Sequence, residues 1–86
     1  MEHDDELRYV NVLRRCIPGL AASEPVLADA VLVDLGLDSL GRMRLLVALE
    51  KEFDIVFPDE LLVPETFNTV TSLQAALTTV LREMVR

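Results

Sequence analysis

The sequence predicts an all-α fold: a small four-helix bundle with three main helices, a short third helix and a long first loop. Three observations carry this. Apolar residues recur at three- and four-residue steps through three long segments, the spacing that puts them on one face of a helix. No stretch alternates apolar and polar residues convincingly at strand period. Helix formers are abundant, and the chain holds only three glycines. Its 86 residues suit one domain with a modest core, so residues 1–86 are read as a single domain.

The first helix is expected over about residues 4–17. Leu7, Val10, Leu13 and Ile17 form its apolar stripe, flanked by Tyr9 and Cys16. Asp4, Asp5 and Glu6 lie in its first turn and Arg14 and Arg15 in its last, each matched to the helix dipole. Pro18-Gly19 then stops it. His3 lies among acidic residues without a second ligand at useful spacing, and so reads as a solvated histidine. Cys16, the only cysteine, reads as a small buried apolar residue. With no partner for a disulfide, it suits a reducing cytoplasm.

Residues 18–38 form the long loop. Val26, Leu27, Val31, Leu32, Val33 and Leu35 make it too apolar to hang free, and Leu32 and Leu35 are expected to close one end of the bundle. A short helical turn is placed around Glu24 to Asp29. The loop's task would be to fix where Asp38 and Ser39 emerge.

The second helix, residues 39–53, has two apolar faces. At roughly 100° per residue, Leu45, Leu46, Leu49 and Phe53 share one face, and Leu40, Met43 and Val47 cluster nearly opposite. A surface helix with one core contact has a polar back. The apolar back beside the serine is therefore read as a partner-binding strip, the alternative being burial on both sides. Asp38 and Ser39 are both good N-cap residues. A serine there meets the positive end of the dipole and N–H groups that lack helical partners, an environment that suits a phosphate ester. Gly36 supplies the permissive backbone for a tight approach. On these grounds alone, a plain capping residue is the favoured reading of Ser39, since a serine before a helix is common.

Pro58 breaks the segment after the second helix, and Pro64 suits the first position of a short third helix, residues 64–67. Leu61, Leu62 and Phe67 are expected to pack inward. Thr69 or Thr71 caps the last helix, residues 70–84, with Thr71 and Gln74 at capping-box spacing. Val70, Leu73, Ala76, Leu77, Val80 and Leu81 form its core stripe.

The stretch Asp34-Leu35-Gly36-Leu37-Asp38-Ser39-Leu40 closely resembles the attachment motif of acyl carrier proteins. The likeness continues through Ala48 to Ile55 and Phe57-Pro58-Asp59-Glu60, and resumes at Thr69-Val70. It covers about half of the chain as motif and the whole of it in length and helix order. It implies that Ser39 carries 4′-phosphopantetheine through a phosphodiester, with the arm's thiol holding acyl or aminoacyl groups as thioesters. It implies a partner surface at Leu40, Met43 and Val47, and Asp38 and Arg44 beside them are taken as further partner-binding candidates. The partners it implies are a phosphopantetheinyl transferase, a loading ligase or acyltransferase, and a ketosynthase or other downstream enzyme. Gly41, Arg42 and Arg44 depart from the acidic side chains that commonly follow the serine-leucine pair in fatty-acid carriers. A dedicated partner set, as in polyketide or nonribosomal-peptide pathways, is the expectation, with a fatty-acid synthase carrier as the alternative. The segment Asp59 to Phe67 is also longer and more apolar than in the commonest carriers.

The remaining classes are weighed by charge and by absent chemistry. A net charge of −7 disfavours nucleic acid and anionic membranes as partners. No apolar run is long enough to span a bilayer and no signal peptide is recognised. Without linkers, repeats or low-complexity tracts the chain reads as a free-standing protein, and a domain cut from a larger enzyme would read the same way; a cytoplasmic monomer is expected. Ser39 as a hydrolase nucleophile would need a base and an orienting group. The only histidine is His3, and no Gly-x-Ser-x-Gly turn is present. A helical adaptor without a prosthetic group remains a third reading. No catalytic residue and no metal site is assigned.

Overall fold

Three α-helices carry the chain: α1 (His3–Cys16), α2 (Ser39–Phe53) and α3 (Val70–Met84). Short 3₁₀ helices lie between them at Leu32–Leu35, Asp59–Leu61 and Pro64–Phe67. The computed structural model describes residues 3–20 and 25–84. The short third helix is thus a single 3₁₀ segment with Pro64 at its start. The first loop holds a 3₁₀ helix at Leu32–Leu35 and a hydrogen-bonded turn from Leu27 to Ala30. Of the turn expected around Glu24 to Asp29, Glu24 lies outside the described residues.

The core is built from one stripe of each helix plus the connections. Leu45, Leu49 and Phe53 come from α2, and Val70, Leu73, Ala76, Leu77 and Val80 from α3. Leu32, Leu37, Ile55 and Phe57 fill the ends. Leu35 and Leu46 are only half-buried against this core.

The stripe of α1 differs from the expected one. Tyr9, Val12, Leu13 and Ile17 are buried, while Leu7 is 50% exposed and Val10 and Cys16 are half-buried. The cause is the tyrosine hydroxyl, which donates to the Val70 carbonyl at 2.7 Å. That bond removes the cost of burying the phenol, so the inward face centres on Tyr9 and Leu13, and Leu7 turns away. In the loop, Leu27 and Val33 stay exposed, and among the residues before α3 Leu62 points outward while Thr66 is buried.

Burial pushes the Tyr9 phenol well above its ordinary value near 10. The unfolded chain therefore loses this proton first. The stabilisation is whole below about pH 10 and declines above it, by up to about 1.4 kcal/mol per pH unit. Tyr9 is the only tyrosine, so phenolate absorbance reports it alone. Denaturant titrations from pH 9 to pH 12 should show this decline in the native protein and not in Tyr9→Phe, with phenolate absorbance rising only as the chain unfolds.

A charged clamp closes the α1–α2 seam. Arg8 lies 4.5 Å over the Phe53 ring, donates from Nε to Glu52 Oε2 at 2.9 Å and also reaches the Glu52 carbonyl. Arg15 Nη2 approaches the other Glu52 oxygen at 3.5 Å. These side chains are part-exposed, so the ion pairs contribute at most about 1 kcal/mol; their main effect is to fix where α1 crosses α2.

The long loop is stitched to the start of α3. Leu32 N–H donates to the Asn68 carbonyl, and Val70 and Thr71 N–H donate to the Ala30 and Ala28 carbonyls. Thr69 and Ser72 close a reciprocal cap, Ser72 N–H to Thr69 Oγ1 at 3.0 Å and Thr69 N–H to Ser72 Oγ at 2.9 Å. Thr69 is therefore the cap, and Thr71 instead donates its hydroxyl to Ala28. At the loop's other end Gly19 N–H donates to the Leu35 carbonyl at 2.8 Å, and a side chain at Gly19 would bring its Cβ within 2.5 Å of that oxygen.

Candidate functional site

The loop delivers the chain to α2 through Gly36, whose φ of 94° ends the 3₁₀ helix in the left-handed region. Leu37 then buries itself, and Asp38 turns extended and caps α2. Its carboxylate accepts from Gly41 N–H at 2.6 Å and its carbonyl from Arg42 N–H at 2.9 Å. Gly41 belongs here, because a Cβ would sit 3.0 Å from that carboxylate oxygen and 3.1 Å from Leu37.

Ser39 is the first residue of α2 and is exposed. No acceptor among the described residues meets the Ser39 and Leu40 N–H groups. The start of α3 is the opposite case, since every N–H from Thr69 to Leu73 has an acceptor. Two open donors at the positive end of a 15-residue helix favour an anion beside the Ser39 hydroxyl.

A groove of about 390 Å³ runs from Ser39 between α2 and the following 3₁₀ segments. Leu46, Leu62, Val63 and Phe67 give it apolar walls, and Arg42, one turn beyond Ser39, lines it with a cation. A phosphodiester at Ser39 would meet the open N–H groups, and a flexible chain leaving it would find an apolar channel, so these residues fit a pantetheine arm. Sequence reasoning passed over the outward turn of Leu62 and Val63. Leu61, Leu62 and Val63 are all apolar, and three consecutive residues cannot all face one core.

The expected partner strip is solvent-facing. Leu40, Met43 and Val47 are 59%, 61% and 44% exposed, and Asp38 and Arg44 are exposed beside them. Part of the acidic side-chain set is engaged within the fold. Glu52 is held by Arg8 and Arg15, Glu50 accepts the Phe57 N–H at 2.9 Å, and Asp38 is committed to its cap. Asp34, Asp54, Asp59 and Glu60 remain exposed. His3 is exposed at the start of α1, and no group of metal-ligating side chains occurs among the described residues.

A small helical bundle with an exposed serine at a helix start, an apolar groove beside it and no assembled catalytic group among the described residues has the form of a carrier. Comparison with known proteins agrees: the chain belongs to the phosphopantetheine attachment site family, which matches residues 12–77. It is a carrier of acyl or aminoacyl groups, and its prosthetic group is a covalently attached 4′-phosphopantetheine. The chain is 34% identical over 67 residues to aminoacyl carrier protein 2 of Bradyrhizobium diazoefficiens, covering 78% of this chain and 75% of that protein. It is 48% identical over 42 residues to the acyl carrier protein of Clostridium acetobutylicum, covering 49% and 54%.

Two solved structures share the fold. One is the crystal structure of Bradyrhizobium japonicum glycine:[carrier protein] ligase with its cognate carrier protein and an analogue of glycyl adenylate. The match has a TM-score of 0.63 at 30% identity and covers 86% of this chain and 90% of that one. The other is an engineered form of that ligase with a carrier protein from Agrobacterium tumefaciens and AMP. Here the TM-score is 0.69 at 24% identity, covering 84% and 96%, and the likeness is one of fold.

Proposed function

We propose that Ser39 carries the pantetheine arm and that the cargo is an aminoacyl group supplied by a dedicated ligase. The observation that carries the site is the exposed Ser39 hydroxyl at a helix start whose first N–H groups are open. When attached, the arm supplies a thiol that holds the cargo as a thioester; the protein supplies position and recognition. Asp38 fixes the helix start, the open N–H groups receive the phosphate charge, and Arg42 adds a cation one turn away. Leu40, Met43, Arg44 and Val47 face the loading and downstream enzymes. Residues 1–86 act as one carrier domain, a cytoplasmic monomer with no catalytic group of its own. No helix among the described residues is long and apolar enough to cross a membrane.

The aminoacyl reading is supported by relatives named aminoacyl carrier proteins and by the ligase complexes of the structural neighbours. The replacement of acidic side chains by Gly41, Arg42 and Arg44 also weakens docking to the basic patches that fatty-acid carriers meet. The pathway proposed is therefore a nonribosomal-peptide or polyketide route. The test is loading of the arm-bearing protein with ATP, single amino acids and aminoacyl:carrier ligases, the B. japonicum glycine ligase first. Intact mass should rise by one aminoacyl group, released by hydroxylamine as a thioester is. Loading confined to fatty acids through fatty-acid enzymes would overturn the aminoacyl assignment.

A further inference from the structure

A second groove, of about 560 Å³, lies between the end of α1 and the middle of α2. Its floor is Met43, Val47 and Ala48, and its rim carries the cations Arg15, Arg44 and Lys51. Met43 and Val47 are 61% and 44% exposed, so no described segment of the chain covers the floor. The one carboxylate lining it, Glu52, already accepts from Arg8 and lies against Arg15. Arg44 and Lys51 are exposed and make no hydrogen bond or ion pair among the described residues. The helix gives Arg44 no counter-charge either, for its neighbours three and four residues away are Leu40, Gly41, Val47 and Ala48. In a chain of net charge −7, this patch has the reverse sign.

We propose that this groove docks an acidic, apolar-centred segment of a partner protein. Aliphatic or aromatic side chains of that segment fill the Met43–Val47–Ala48 floor, and its carboxylates meet Arg44 and Lys51. Charge complementarity selects this occupant: the unpaired rim cations attract carboxylates and repel a basic segment. Met43 also lines the groove beside Ser39, so the docked segment stands directly next to the candidate arm site. The proposal rests on α2 being the partner-facing helix, and it holds whichever residue bears the arm.

The test uses the full chain with Ser39→Ala, so that no arm takes part. Two synthetic amphipathic helical peptides serve as probes, each with leucines on one face, one with glutamates on the other face and one with lysines. Titration into ¹⁵N-labelled protein should move the Met43 to Lys51 amides with the glutamate peptide. Arg44→Glu combined with Lys51→Glu should weaken that binding by roughly tenfold or more, and added salt should weaken it in the parent. Val47→Ser should weaken it with the rim intact. The proposal is overturned if the glutamate peptide does not bind, if the lysine peptide moves the same amides as strongly, or if charge reversal leaves the affinity unchanged. It is overturned equally if tripolyphosphate occupies these residues while the glutamate peptide does not.

Discussion

Ser39→Ala is expected to abolish attachment of the pantetheine arm while leaving the fold as stable as before, within about 0.5 kcal/mol. Both halves follow from the same geometry. The helix start is held by Asp38, whose carboxylate and carbonyl take the Gly41 and Arg42 N–H groups. The Ser39 hydroxyl makes no hydrogen bond among the described residues and is exposed, so its removal opens no cavity and breaks no cap. Incubation with coenzyme A and a phosphopantetheinyl transferase should add one pantetheinyl mass to the native protein and none to the variant. Thermal melts of the two unmodified proteins should superimpose. A variant that still gains the arm would move the attachment site elsewhere; a variant that melts early would make Ser39 a structural cap.

Leu49→Ala should destabilise the protein by about 2–5 kcal/mol, out of the roughly 5–15 kcal/mol that holds a domain folded. Leu49 is fully buried in the second half of α2, within the core cluster, and a truncation there leaves a cavity that neighbours close only in part. Denaturant unfolding should show a lower midpoint at nearly unchanged slope. The same truncation at Val47, two residues away and so on the exposed face, removes little buried area and should change stability far less. Val47 is instead placed where binding would be affected. The pair separates the two faces of one helix, one holding the fold and the other facing partners.

The second and last helices were legible because their buried stripes follow helical spacing. Leu45, Leu49 and Phe53 on α2, and Val70, Leu73 and Leu77 on α3, face inward as that spacing requires. The first helix was misread at one end because apolarity alone ranks Leu7 above Tyr9. What decided its rotation was a hydrogen bond to Val70, 61 residues away in sequence, which local pattern does not contain. The loop's apolar residues were similarly divided by long-range pairing. Leu32 is buried where its N–H meets Asn68, while Val33 beside it is exposed. At the site, spacing alone put Ser39 at a helix start, and the family resemblance assigned it the arm. What spacing could not show was that the Ser39 and Leu40 donors meet no acceptor among the described residues, while those from Thr69 to Leu73 all have one. The engagement of Glu52 was hidden for the same reason, since the arginines that hold it lie on another helix.

The stitching of the first loop to Asn68, Val70 and Thr71 has a consequence during synthesis. The carbonyls of Ala28 and Ala30 wait for donors that leave the ribosome only after α2 and both later 3₁₀ turns have been made. A nascent chain that ends before α3 lacks the clasp that shapes the approach to Ser39, and its Tyr9 hydroxyl has no Val70 carbonyl to reach. Translation order thus keeps the serine from its finished surroundings until the start of α3 has emerged.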